Sequence, residues 1–141
     1  MKKQHLFING TWKEANEYRP LYSPYSGEMI AEVAVANEGE IDQALEAAEQ
    51  TKKIMAKMYA HERATILEKL VDLIEENKEK CAEIIALESA KPIKTARGEV
   101  ARTIMTYKFA AEEARRIHGE TIPMDAAPGG ENRIAYTVRK P

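Results

Sequence analysis

The last patterned stretch of the chain restricts its fold more than any other feature. Ile134, Tyr136 and Val138 alternate with Arg133, Ala135, Thr137 and Arg139, the two-residue period of a strand. Residues 37–119 before it carry helical periodicity instead. A loop containing proline and glycine, Pro123-Met124-Asp125-Ala126-Ala127-Pro128-Gly129-Gly130, separates the two. A lone strand cannot satisfy its own ladder hydrogen bonds. The strand expected over residues 133–140, Arg133 to Lys140, must therefore pair with strands at the N-terminus or with something outside the chain. That is the first sign that the 141 residues are a fragment.

Strands are expected at the N-terminus. Leu6-Phe7-Ile8 and Thr11-Trp12-Lys13 flank Asn9-Gly10, a strong hairpin signal because both turn residues need positive φ. Tyr22-Ser23-Pro24-Tyr25-Ser26-Gly27 is a turn cluster. After it Met29, Ala31, Val33 and Val35 alternate with Glu28, Ile30, Glu32 and Ala34 as a half-buried strand.

Four helices follow. Asn37 and Glu40 form a capping-box pattern ahead of Ile41, Ala44, Leu45, Ala48, Met55 and Met58. A second stripe runs Leu67, Leu70, Val71, Ile74, and a third Cys81, Ile84, Ile85, Leu87. The fourth helix opens at Pro92, a first-turn residue, and closes before Gly119, a natural left-handed cap. Its stripe is Ala96, Val100, Thr103, Tyr107, Ala110, Ala111, Ala114, Ile117, and at 1.5 Å per residue it spans roughly 35–40 Å. The chain thus divides into strands over 1–36, a helical part over 37–119, and a loop with a final strand over 120–141. As an isolated fragment its class is α+β.

Charge narrows the function classes. Twenty-one Lys and Arg against 23 Asp and Glu leave a net charge of −2, without the basic excess that binding a nucleic-acid backbone requires. Only Leu6-Phe7-Ile8 follows the charged N-terminus before Asn9-Gly10, so there is no signal-peptide core, and no apolar run is long enough to span a membrane. A single cysteine excludes an internal disulfide framework and fits a reducing compartment, so the expected location is the cytoplasm.

Self-contained catalytic machinery is missing from the pattern. His5, His61 and His118 lie far apart with no ligand spacing around them, so no metal site is expected. No glycine-rich strand–turn–helix fingerprint for a dinucleotide is present, and Gly129-Gly130 is a loop pair only. Cys81 sits in a helical apolar stripe. There a free cysteine is a small hydrophobe rather than a nucleophile, and Lys80 points about 100° away from it. Arg102 shares a face with Gly98, Met105 and Phe109. Such an arginine either pairs locally, here with Glu99 at i−3, or waits for an anion. Gly98, costly inside a helix, is expected to mark close approach by backbone or ligand.

Taken in order, several stretches resemble the N-terminal part of an NAD(P)-dependent aldehyde dehydrogenase. They are Ile8-Asn9-Gly10-Thr11-Trp12, Ser23-Pro24-Tyr25-Ser26-Gly27-Glu28-Met29-Ile30, the Ala-rich helix around Ala44 to Ala48, and Glu62-Arg63. Leu70-Val71-Asp72-Leu73-Ile74, Ala90-Lys91-Pro92, His118-Gly119-Glu120-Thr121-Ile122-Pro123 and Tyr136-Thr137-Val138-Arg139-Lys140-Pro141 complete the set. One departure is Ala90, where the family usually has glycine, which alters a local turn.

The resemblance implies an α/β fold, with residues 37–119 as the helical part of the cofactor-binding domain. It also implies oxidation of an aldehyde by a cysteine thiolate, with hydride transfer to NAD or NADP and hydrolysis of the thioester. The family's nucleophile, base, oxyanion asparagine and cofactor glycines map to no residue here, and Cys81 does not match the nucleophile's motif. No catalytic, cofactor-binding or metal residue is assigned, and the chain alone is expected to be inactive and to bind no cofactor.

Gly98-Glu99-Val100-Ala101-Arg102-Thr103 with Ala110-Ala111-Glu112-Glu113 is similar to the branch of non-phosphorylating glyceraldehyde-3-phosphate dehydrogenases. Archaeal lactaldehyde and phosphonoacetaldehyde dehydrogenases look related. That likeness implies that Arg102 grips the anionic tail of a small-molecule aldehyde, and that residues 133–140 form an oligomerisation strand of a homo-oligomer. Two other readings stand beside it: a stand-alone helical interaction module without chemistry, and an autonomous enzyme using Cys81.

Overall fold

A computed structural model describes residues 3–140; Met1 and Lys2 at the charged N-terminus, and Pro141 at the end of the last motif, lie outside the described residues. Five strands open the chain, β1 (Lys3–Gln4), β2 (Leu6–Ile8), β3 (Thr11–Lys13), β4 (Glu17–Tyr22) and β5 (Met29–Val35). Asn9 and Gly10 join β2 to β3 with φ of 49° and 74°, the doubly positive turn that the Asn-Gly pair favours. β5 lies at the centre of a three-stranded sheet, parallel to β1 and antiparallel to β4. The turn before β5 is held by Ser23, whose buried hydroxyl accepts from the backbone N–H groups of Tyr25 and Ser26.

Four helices follow, α1 (Glu38–Lys57), α2 (Ala60–Glu76), α3 (Lys78–Ser89) and α4 (Ile93–Arg116). The capping box of α1 forms as expected. Asn37 Oδ1 accepts from Glu40 N at 3.0 Å, and Glu40 Oε2 accepts from Asn37 N at 2.8 Å. At the start of α2, Glu62 Oε2 accepts from Tyr59 N at 2.8 Å.

The core sits where α2 and α3 meet α4. Ala82, Ala96 and Val100 form its centre, with Ile74, Cys81, Ile85, Ala86 and Ile104 packed around them. Ala64 and Val71 on α2, and Ala111 and Ala114 on α4, are buried further along the same contact. Small residues on this seam let the helices approach closely. Salt bridges from Arg97 to Glu79, Lys108 to Glu75 and Arg115 to Glu68, at 2.9, 2.7 and 2.8 Å, border it where α4 runs antiparallel to α2 and α3. α1, by contrast, buries no residue.

Two expectations need correction. Within the described residues the last strand does not pair with the N-terminal strands. It forms β7 (Ala135–Tyr136), antiparallel to β6 (Thr121–Ile122), and is two residues long rather than spanning 133–140. Thr137 closes the pairing, its N–H donating to Glu120 O at 2.9 Å and its hydroxyl accepting from Glu120 N at 2.8 Å. Nor does Gly119 cap α4 in the left-handed conformation. The helix ends at Arg116, with Ile117 extended at its C-terminus. A Cβ on Gly119 would stand 1.6 Å from Thr137 O, so glycine is needed there for close approach of the two backbones.

Candidate functional site

The candidate site lies on α4 and begins with the turn that leads into it. Ala90, at the C-terminal end of α3, adopts φ 55° and ψ 24°, the left-handed region that alanine enters only at a cost. Glycine would enter that conformation without the steric cost. Pro92, just before the first helical residue of α4, fixes the entry to the helix, and its carbonyl accepts from Thr95 N and Ala96 N.

Lys91, between the two, reaches two turns along α4 and donates from Nζ to Glu99 Oε2 at 2.6 Å. This hydrogen bond and the ammonium charge, with a weaker contribution from Arg102, hold the Glu99 carboxyl below its ordinary value. The expected local pair between Glu99 and Arg102 is therefore replaced by a pair between Glu99 and Lys91. Arg102 is exposed and has no carboxylate partner among the described residues. Its carbonyl accepts from the Thr106 hydroxyl at 3.0 Å, which ties the backbone but leaves the guanidinium free.

On the same face Met105 and Phe109 are exposed, and the close backbone approach expected at Gly98 is not found among the described residues, since a Cβ there would meet nothing within 4 Å. An unpaired guanidinium, a glycine with open space above it and two large apolar side chains thus lie along one open face. This arrangement can hold an anion at one end and an apolar or neutral body beside it.

The remaining candidates are placed as follows. Cys81 is half-buried against the α3–α4 core, the setting of a packed thiol rather than a positioned nucleophile. His5 bonds Tyr18 Oη at 2.7 Å, His61 stacks on Tyr59, and His118 contacts Arg116 O, so the three stay apart. No group of three metal-ligating side chains occurs among the described residues. A cleft of about 860 Å³ between the ends of α1 and α4 was not foreseen, because it depends on how the last segment returns past α4. Its guanidiniums are occupied, that of Arg63 by Met58 O, that of Arg116 by Glu113 and that of Arg139 by His118 O.

The residues present do not fit a dinucleotide. Among the described residues the single parallel strand pair is two residues long, and no glycine-rich turn leads from a strand into a helix.

Residues 12–141 match the model of the aldehyde dehydrogenase family, and the chain belongs to that family. It corresponds to the N-terminal part of its relatives. It is 39% identical over its full 141 residues to a 3-sulfolactaldehyde dehydrogenase of Priestia aryabhattai, spanning 29% of that protein. It is 35% identical over 136 residues to a lactaldehyde dehydrogenase of Methanocaldococcus jannaschii, covering 96% of the chain and 28% of that relative. Among solved structures, the NADP complex of an NADP-dependent glyceraldehyde-3-phosphate dehydrogenase from Bacillus halodurans superposes with a TM-score of 0.89. There the identity is 34%, over 96% of this chain and 29% of the other. The chain spans less than a third of the length of these proteins. No helix among the described residues is long and apolar enough to cross a membrane.

Proposed function

We propose that these residues are the N-terminal part of an NAD(P)-dependent oxidoreductase that converts an aldehyde with an anionic tail to the carboxylic acid, Arg102 binding the tail. One observation carries this reading: the Arg102 guanidinium is exposed and unclaimed because Glu99, its natural partner on the helix, is bonded to Lys91. The relatives agree in chemistry, since 3-sulfolactaldehyde and glyceraldehyde 3-phosphate both carry an oxyanion group that a planar guanidinium can hold through two oxygens. Lactaldehyde, named for another relative, is neutral, so the charge of the substrate is the point to test.

In this reading residues 37–119 belong to the cofactor-binding domain, and the segment 133–140, which carries β7, pairs between subunits of a cytoplasmic homo-oligomer. The 141-residue chain alone is inactive, because no catalytic residue of the family maps onto it. The deciding experiment replaces Arg102 in the full-length dehydrogenase. Arg102→Leu is expected to raise the KM for glyceraldehyde 3-phosphate about tenfold or more, the scale of a hydrogen bond to a charged group. The KM for glyceraldehyde should hardly change. Equal losses on both substrates, or a native polypeptide of only 15.9 kDa, would overturn the proposal.

A further inference from the structure

We propose that Lys91 is a positioning residue for substrate charge: by holding the Glu99 carboxylate in its own hydrogen bond, it keeps the Arg102 guanidinium available to an anion. The inference rests on the reading of Arg102 given above. Glu99 lies three residues before Arg102 on α4, a separation at which a carboxylate and a guanidinium ordinarily meet across one helical turn. The carboxylate instead accepts from Lys91 Nζ at 2.6 Å.

Lys91 reaches it from outside the helix. The left-handed turn at Ala90 and the extended backbone at Pro92 set the base of its side chain beyond the end of α4, eight residues before its partner. Glu99 is further anchored through its backbone, its carbonyl accepting from the Thr103 hydroxyl at 3.0 Å. Glu99 therefore has two possible cationic partners, one on either side. If the Lys91 ammonium is removed, the freed carboxylate turns to Arg102, and an incoming anion must compete with it for the guanidinium. A device of this kind sets the preference for charged over neutral aldehydes without touching either.

The test uses the full-length dehydrogenase with glyceraldehyde 3-phosphate and glyceraldehyde as probes. Lys91→Met is expected to raise the KM for the phosphorylated aldehyde about 1.5- to twofold, the scale of a helical ion pair gained by Arg102. The effect should be confined to that KM, leaving the neutral aldehyde and kcat for either substrate in place. Adding Glu99→Gln to Lys91→Met should restore the KM, and Lys91→Arg should preserve it. A merely structural lysine would shift both substrates together and lower the melting temperature, and Glu99→Gln would not rescue it; either result overturns the inference. As a second handle, Glu99→Gln alone should leave or lower the KM for the phosphorylated aldehyde, and a rise would count against the proposal. If Arg102→Leu discriminates between the substrates and Lys91→Met does not, the positioning role fails by itself. If Arg102→Leu does not discriminate, the reading of Arg102 fails with it.

Discussion

α1 and α4 are the two long helices of this chain, 20 and 24 residues, and their surroundings differ sharply. α4 buries Ala96, Val100, Ala111 and Ala114 against α2 and α3, and three ion pairs line its seam. α1 has an equally regular apolar stripe, yet Ile41, Leu45, Ile54 and Met55 remain exposed and nothing on it is buried. An apolar stripe shows that a helix has a face to cover, not that the same chain covers it. α4 carries the lesson on its own surface, since the side opposite its core presents Met105 and Phe109 beside Arg102. The uncovered faces of α1 and α4 fit a chain that spans less than a third of its relatives' length.

Substitution on the two helices gives the largest expected contrast. Ala96 is fully buried at the α3–α4 contact, so Ala96→Leu forces three extra carbons into a filled seam and should cost about 1–3 kcal/mol. Leu45 on α1 is 63% exposed, and Leu45→Ala in the 141-residue chain should stay within about 0.5 kcal/mol. Urea unfolding midpoints measure both. The comparison breaks if Leu45→Ala is as costly as Ala96→Leu. It sharpens if Leu45→Ala becomes costly only in the longer protein, which would show that the stripe of α1 is covered there.

Ala90→Gly should move stability the other way by a smaller amount. Alanine in the left-handed region costs roughly 1–2 kcal/mol, while glycine adds back some entropy to the unfolded chain. The net gain expected is about 0.5–1 kcal/mol, read as a higher urea midpoint. No gain would mean that the turn relaxes around the alanine at little cost. Because glycine keeps the left-handed turn that sets the path of Lys91, the substitution should leave the Lys91–Glu99 bond in place.

Elements governed by local chemistry were legible in the sequence, and those governed by distant partners were not. Asn9-Gly10 needs two positive φ values, and Asn37 with Glu40 satisfies two backbone donors, so both could be read from four residues or fewer. β4 was harder, because Pro20 and the charges at Glu17 and Arg19 obscure any alternation. It is tolerated as the edge of its sheet, where a missing N–H does no harm. β6 is two residues long and exists only because Gly119 lets the backbone of Thr137 come close. The same division runs through the candidate site. Arg102 could be singled out from its helical neighbours, and its significance sharpened by family likeness. Its freedom could not, since that depends on a lysine eight residues before Glu99 and across a turn whose left-handed residue is an alanine.

The smallest expected effect is the pH dependence of the Lys91–Glu99 bond, and its sign follows from the direction of the shift. The Lys91 hydrogen bond holds the Glu99 carboxyl in the folded chain below its ordinary value of 4.5. The folded state therefore binds its proton less readily than the unfolded state. The stabilisation is fully present above 4.5 and is lost as pH falls through the lower, folded value. Glu131, in the loop before β7, is shifted in the same direction by backbone N–H groups, chiefly its own and then that of Gly129, so acid weakens the chain at both places. Subtracting the urea midpoint of Glu99→Gln from that of the unaltered chain isolates the α4 contribution. That difference should be constant near neutral pH and shrink in acid, and in a Lys91→Met, Arg102→Leu background, where neither cation is left to Glu99, it should shrink much less. A difference that grows in acid would mean that neither Lys91 nor Arg102 stabilises the charged Glu99 carboxyl in the folded chain.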